Sequence, residues 1–188
     1  MHPDADVDRG FSLVEALLAV TVTTLAVGAL VQLAILSARA NDLAESTTFA
    51  AVLASQKLEQ LRALTWTFDQ DGAPISDTST DTTMAPERLS GGTGLAPSPT
   101  NALLRSTPGY CDFLDASGLS LGGSTTPPAR AAFVRRWSIG LVGAATDTLV
   151  IQVSVMRVRG QNRVGDTIAR RLPGEVRMTG IKTRKGTR

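Results

Sequence analysis

An unbroken apolar run near the N-terminus governs what this chain can become. Twenty-six residues from Phe11 to Leu36 contain a single charge, Glu15, and the run is flanked by Arg9 and Arg39. As a helix, at about 1.5 Å per residue, it measures roughly 39 Å, enough to cross a hydrocarbon layer of about 30 Å with some tilt. The h-region of a secretory signal is shorter, and no A-x-A-like site ends this run. A soluble core offers no place for so long a helix without a polar face. The residues therefore predict a membrane-spanning segment over 11–36.

Glu15 is the anomaly inside it. A carboxylate at the centre of a membrane helix costs on the order of 2.5–3.5 kcal/mol on insertion scales, and such a residue marks function by default. The run itself supplies no cation to pair with it, and the nearest basic residue, Arg9, lies beyond Gly10. Five residues into the run, Glu15 can also reach an interface, so snorkelling is the plain structural alternative.

Gly10-Phe11-Ser12-Leu13-Val14-Glu15, followed at once by the apolar stretch, resembles the type III signal of type IV prepilins and pseudopilins. The resemblance implies a leader over 1–10 that a membrane aspartic peptidase removes between Gly10 and Phe11, leaving Phe11 as the methylated first residue. Gly10 lacks a side chain, which lets the backbone enter a tight protease site. Cleavage would create a cationic amine four residues from Glu15. By the same resemblance, Glu15 pairs with the amine of a neighbouring subunit during assembly and so sets the register of packing. Two features depart from the family pattern. The leader MHPDADVDRG carries three Asp and one Arg, where family leaders are basic. No proline occurs between Phe11 and Leu64, where principal pilins carry a kinking one. The second departure favours a minor pilin or pseudopilin.

After Arg39 the sequence ANDLAESTTFAAVLASQKLEQLRALTW is free of Pro and Gly and rich in helix formers, so the helix is expected to continue over 37–66. Leu43, Ala50, Ala54, Leu58 and Leu61 recur at helical spacing, with Val52, Leu53 and Leu64 nearby. Glu45, Lys57, Glu59 and Arg62 are expected on the other faces. One stripe should therefore bury against a globular domain spanning 67–188. The segment SQKLEQLRAL also resembles the minor pilins that modify type IV pili, and their type II secretion relatives.

From Asp69 to Pro128 the chain is rich in Asp, Ser, Thr, Gly and Pro, which predicts long loops with short elements. Asp69-Gln70-Asp71-Gly72 begins like a calcium loop but lacks the later ligands, and a turn is the better reading. Gly91-Gly92-Thr93-Gly94 has no preceding strand and no phosphate-loop lysine. Gly109–Phe113, which holds the only tyrosine, is expected to pack over the sheet. Three strands are predicted later. The first, Ala132–Ile139, turns Phe133, Trp137 and Ile139 to one face, with Arg135 among them needing an edge or an acid. The second alternates Leu149, Ile151, Val153 and Val155 with Val150, Gln152, Ser154 and Met156, and the third runs over Glu175–Thr183, with Gly160 to Gly165 as punctuation between them. The expected fold is α+β and pilin-like: a long N-terminal helix, transmembrane then amphipathic, packed on an antiparallel sheet of 3–4 strands with one wet face.

Composition removes other classes. The single histidine, His2, allows no His-based triad and no multi-His metal site, and Cys111, the only cysteine, is expected as a small buried hydrophobe. No catalytic residue, cofactor or metal is assigned. Net charge is +2, although Arg157 to Arg188 holds ten Lys or Arg against Asp166 and Glu175. No aromatic stacking platform interleaves these charges, which argues against nucleic acid. Arg170, Arg171, Lys182 and Lys185 are the residues a DNA-binding alternative would use. The resemblance implies a minor type IV pilin in the inner (cytoplasmic) membrane, single-pass, with its globular domain outside the cytoplasm. Its partners would be prepilin peptidase, other pilins and the assembly platform. The alternatives are a type II secretion pseudopilin and a membrane-anchored binding pilin.

Overall fold

A computed structural model describes residues 12–143, 145–158 and 174–184 of the 188. The chain divides into two units, Met1–Ala44 and Glu45–Arg188. One helix, α1 (Leu13–Ala63), runs through 51 residues. Its length follows from composition: Ala, Leu and other helix formers dominate, no proline interrupts it, and Gly28 is its only glycine. In the first unit α1 is exposed on every side, with Leu13, Leu17, Leu25 and Leu30 all more than 60% accessible. This N-terminal part is long and apolar enough to cross a membrane.

In the second unit the same helix becomes one-sided. Ser46, Ala50, Leu53, Ala54, Lys57, Leu58 and Leu61 are buried, a set spaced by three and four that presents one stripe. The stripe packs on a four-stranded antiparallel sheet of order β3-β4-β5-β6, made of β3 (Cys111–Leu114), β4 (Phe133–Val142), β5 (Ala145–Arg157) and β6 (Val176–Thr183). Trp137 and Ile139 of β4 and Leu149, Ile151, Val153 and Val155 of β5 meet it in one apolar cluster. Strand pairing is in register along β4 and β5, from Phe133 opposite Arg157 to Leu141 opposite Leu149. Thus the period of two read in β5 is the alternation that the sheet uses.

Two further strands, β1 (Trp66–Phe68) and β2 (Pro74–Ser76), form a separate hairpin after the helix. Asp69 makes its turn: its Oδ1 accepts the N–H of Asp71 at 3.0 Å and of Ala73 at 2.6 Å, and Gly72 takes φ 80°. The turn reading of Asp69–Gly72 holds, and the carboxylate is spent on backbone donors. Arg184 ties this hairpin to the sheet. Its guanidinium lies 3.5 Å from the Trp66 ring centroid and donates to Thr67 O at 3.0 Å and Ile75 O at 2.7 Å.

The structure corrects four expectations. Leu43 is 53% exposed and outside the buried stripe, which begins at Ser46, where the second unit covers the helix. The helix ends at Ala63 rather than 66, because Trp66 already belongs to β1; Lys182 Nζ donates to Arg62 O and satisfies one of the last carbonyls. Only Tyr110 of Gly109–Phe113 packs into the core cluster that holds Trp137 and Ile139; Cys111–Leu114 is itself the sheet's edge strand. The face turned from α1 is wet only in part. Phe113, Val134 and Met156 are buried there with Leu121, Ala131 and Val158 packed on them. Phe113 N–H donates to Gly122 O and Leu121 N–H to Phe113 O, so the loop after β3 folds back over its edge. Gly160 to Gly165 lies outside the described residues.

Candidate functional site

The site expected from sequence comprises Gly10, Phe11 and Glu15. Gly10 and Phe11 lie outside the described residues. Glu15 stands in the first turn of α1, exposed, its N–H donating to Ser12 O at 2.9 Å; Ala16 N–H donates to the same carbonyl at 3.1 Å. The Ser12-x-x-Glu15 spacing is that of a capping box, and a carboxylate in a first turn is favoured by the helix dipole by about 0.3–1 kcal/mol. Glu15 thus sits at the one end of the helix that favours a negative charge.

Beyond Glu15 the helix surface is built for an apolar medium. Thr21, Thr23 and Thr24 interrupt the aliphatic run, yet each hydroxyl donates to the carbonyl four residues back, Leu17, Ala19 and Val20, at 2.6–2.7 Å. That bond removes the hydroxyl's need for water, which makes threonine tolerable inside hydrocarbon. Apart from Glu15 and Gln32, the surface from Leu13 to Leu36 therefore offers apolar contact. No protein-family model, no curated protein and no solved structure matches the chain. Its functional reading rests on its own residues.

A second constellation lies in the core of the second unit, where sequence reasoning placed only a surface charge. Lys57 is not on a solvated face of α1; it is fully buried. Its Nζ lies 3.1 Å from Asp112 Oδ2 and donates to Gln60 Oε1 at 2.9 Å and to Thr82 O. It also stacks over the Trp137 ring, 4.1 Å from the centroid. Asp112, on β3, is held from the other side by Arg135 of β4, with Nε to Oδ1 at 2.9 Å and Nη2 to Oδ2 at 2.7 Å. Arg135 Nη1 then reaches Leu53 O on the helix at 3.1 Å. This is the acid that Arg135 needed.

Two cations, Lys57 and Arg135, share the one carboxylate of Asp112 in the buried core. Burial therefore pulls the Lys57 ammonium down to about 8; Asp112 opposes this and Arg135 adds to it. The cluster ties helix, edge strand and central strand at one point. All three ammonium protons of Lys57 have acceptors, in Asp112, Gln60 and Thr82, so the cluster fixes how α1 seats on the sheet. Nothing but Arg135's position on an apolar face signalled it in the sequence.

Other candidates resolve simply. Cys111 is buried, donates its thiol to Ser124 O at 3.3 Å, and is pushed up in pKa by burial. Of the basic residues a DNA reading would use, Arg170, Arg171 and Lys185 lie outside the described residues, and Lys182 is engaged at the C-terminal end of α1.

Proposed function

We propose that the chain is a minor type IV pilin: anchored in a membrane by α1, cut between Gly10 and Phe11, methylated at Phe11 and then built into a filament. The observation that carries this reading is the division of α1. Its first half exposes an aliphatic surface on all sides, while its second half is sealed on one face by the protein's own sheet. A helix of this kind needs two environments, an apolar one for Leu13 to Leu36 and an aqueous one for the rest. A membrane supplies the first before assembly, and a bundle of identical apolar helices supplies it afterwards. Glu15, set in the first turn, is four residues in sequence from the amine that cleavage before Phe11 would create, and the amine of a neighbouring subunit would be its counter-charge.

N-terminal mass spectrometry of the native protein tests the proposal. The expected product begins at Phe11 with one added methyl group, and Gly10→Val is expected to leave the uncut precursor. A mature chain beginning elsewhere, or a Gly10→Val protein still cut before Phe11, removes the processing site and the pilin reading with it.

A further inference from the structure

Among the described residues, the buried basic side chains are Lys57, Arg135 and Arg136. The first two share the carboxylate of Asp112. Arg136 contacts no carboxylate of a described residue. Its Nη2 donates to the neutral Ser106 Oγ at 3.3 Å, and its buried Nε–H finds no acceptor among the described residues. At 2% exposure, solvent does little for that charge. A guanidinium so placed asks for an anion, because an uncompensated buried charge is strongly destabilising. The sheet register sets a second such group on the same row. Ser154 of β5 lies opposite both Arg136 of β4 and Arg177 of β6, on the face turned from α1. Arg177 likewise carries a buried Nε–H with no acceptor among the described residues. Glu175 is the carboxylate at hand: its Oε1 accepts from Ser154 Oγ at 2.7 Å and from Arg177 Nη2 at 2.9 Å. It acts on Arg136 only at a distance. Cys111, opposite Arg136 on β3, supplies no charge, since burial raises the pKa of its thiol. Two guanidiniums against one carboxylate leave this row one positive charge in excess among the described residues.

We propose that the row Arg136–Ser154–Arg177 binds a small free oxyanion, inorganic phosphate or sulfate, which accepts the Nε–H groups of both arginines. Charge and geometry select this chemistry. Guanidinium N–H groups match oxyanion oxygens in a fixed fork, and charge on both partners makes each bond roughly twice as strong as a neutral one. Two strand spacings, about 10 Å, separate the two Cα atoms, within the reach of two arginine side chains converging on one ion. Enclosure selects the size. Both Nε atoms are shut from solvent, which suits an ion that is wholly surrounded and disfavours the phosphate of a large molecule. Arg177, whose side chain is 27% exposed, marks the way in. Such an ion ties the edge strand β6 to the central strand β4. The inference goes beyond the proposed function and is independent of it.

The test titrates the full chain, in mild detergent near neutral pH, with inorganic phosphate at fixed ionic strength, chloride making up the balance. Calorimetry reads binding, and tryptophan fluorescence reads thermal unfolding. The wild-type midpoint is expected to rise with phosphate and to level off as the site fills. Arg136→Met is expected to fold, since it removes a buried charge, and to bind phosphate at least about tenfold more weakly. Arg177→Met should weaken binding as well, and it carries the same test should Arg136→Met not fold. Arg88→Met, at an exposed position outside the row, should bind as wild type does. A wild-type midpoint that ignores phosphate overturns the site. So does one that climbs without levelling, which is a general salt effect. Arg136→Met binding as tightly as wild type overturns it too. Glycerol 3-phosphate binding as tightly as inorganic phosphate would mark a phosphoester, such as a lipid headgroup, and overturn the enclosed free ion.

Discussion

At the scale of single residues, Lys57 shows how a charge is held where composition would not put one. Its ammonium is fully buried, yet the Coulomb attraction of Asp112 and two neutral acceptors keep it in place. Removing one member of such a network differs sharply from removing another. Asp112→Asn leaves two cations without a counter-charge and is expected to lose about 3–5 kcal/mol of stability. Lys57→Met leaves the bidentate Arg135–Asp112 pair intact and nearly fills the same volume, so near pH 7 it is expected to change stability by less than about 1.5 kcal/mol. The pH dependence has a definite sign. Lys57 titrates at about 8 when folded and at 10.5 in its ordinary state, so between these values the folded chain holds fewer protons than the unfolded one. Stability should therefore rise with pH across that window, by up to roughly 3 kcal/mol, as the burden of a buried cation is lifted. Thermal unfolding of the full chain in mild detergent, followed by tryptophan fluorescence, measures both effects. Tyr110 and Cys111 also titrate at high pH, so the quantity to read is wild type minus Lys57→Met; no rise in that difference from pH 8 to 10.5 would sink the assignment.

At the scale of elements, α1 carries two different surfaces on one backbone, and its second half separates them residue by residue. Leu61 is fully buried on the sheet, while Val52 on another face is 59% exposed. Leu61→Ala is expected to cost about 2–5 kcal/mol through lost burial and a residual cavity, and Val52→Ala about 0.5 kcal/mol or less. Equal losses in the unfolding assay would mean that α1 does not seat on the sheet by this stripe. The helix, its stripe and β5 were legible because each repeats its period over many residues: predominantly apolar from Leu13 to Leu36, then by threes and fours, then by twos from Leu149 to Val155. Strands of three or four residues repeat nothing, so Trp66–Phe68, Pro74–Ser76 and Cys111–Leu114 could not be seen. Lys57 was unreadable for a related reason. Its burial depends on Asp112 and Thr82, which are brought to it only by the fold, and a lysine among Gln56, Glu59 and Gln60 reads locally as surface. Arg135 showed half of the cluster, since an arginine on the face of Phe133 and Trp137 demands an acid without saying which.

At the scale of the whole molecule the question is what Glu15 does once the helix leaves one apolar environment for another. Its place in the first turn gives it a local task, capping the helix and meeting the positive end of the dipole. The proposed function gives it a longer-range one, pairing with the amine of Phe11 on a neighbouring subunit. These tasks ask for different chemistry. Capping at the third helical position is met nearly as well by glutamine as by glutamate. Ion pairing inside a bundle of apolar helices requires the charge, and deleting one partner leaves the other unpaired at a cost of about 2–5 kcal/mol. Glu15→Gln and Glu15→Ala are therefore both expected to insert in the membrane at normal levels. Both should fall by more than about tenfold in sheared filaments relative to the membrane fraction, as read by quantitative immunoblot. Recovery of Glu15→Gln at wild-type levels, with Glu15→Ala alone depleted, would reduce Glu15 to a helix cap. Recovery of both would take it out of assembly altogether and leave subunit register to the shape of the aliphatic surface.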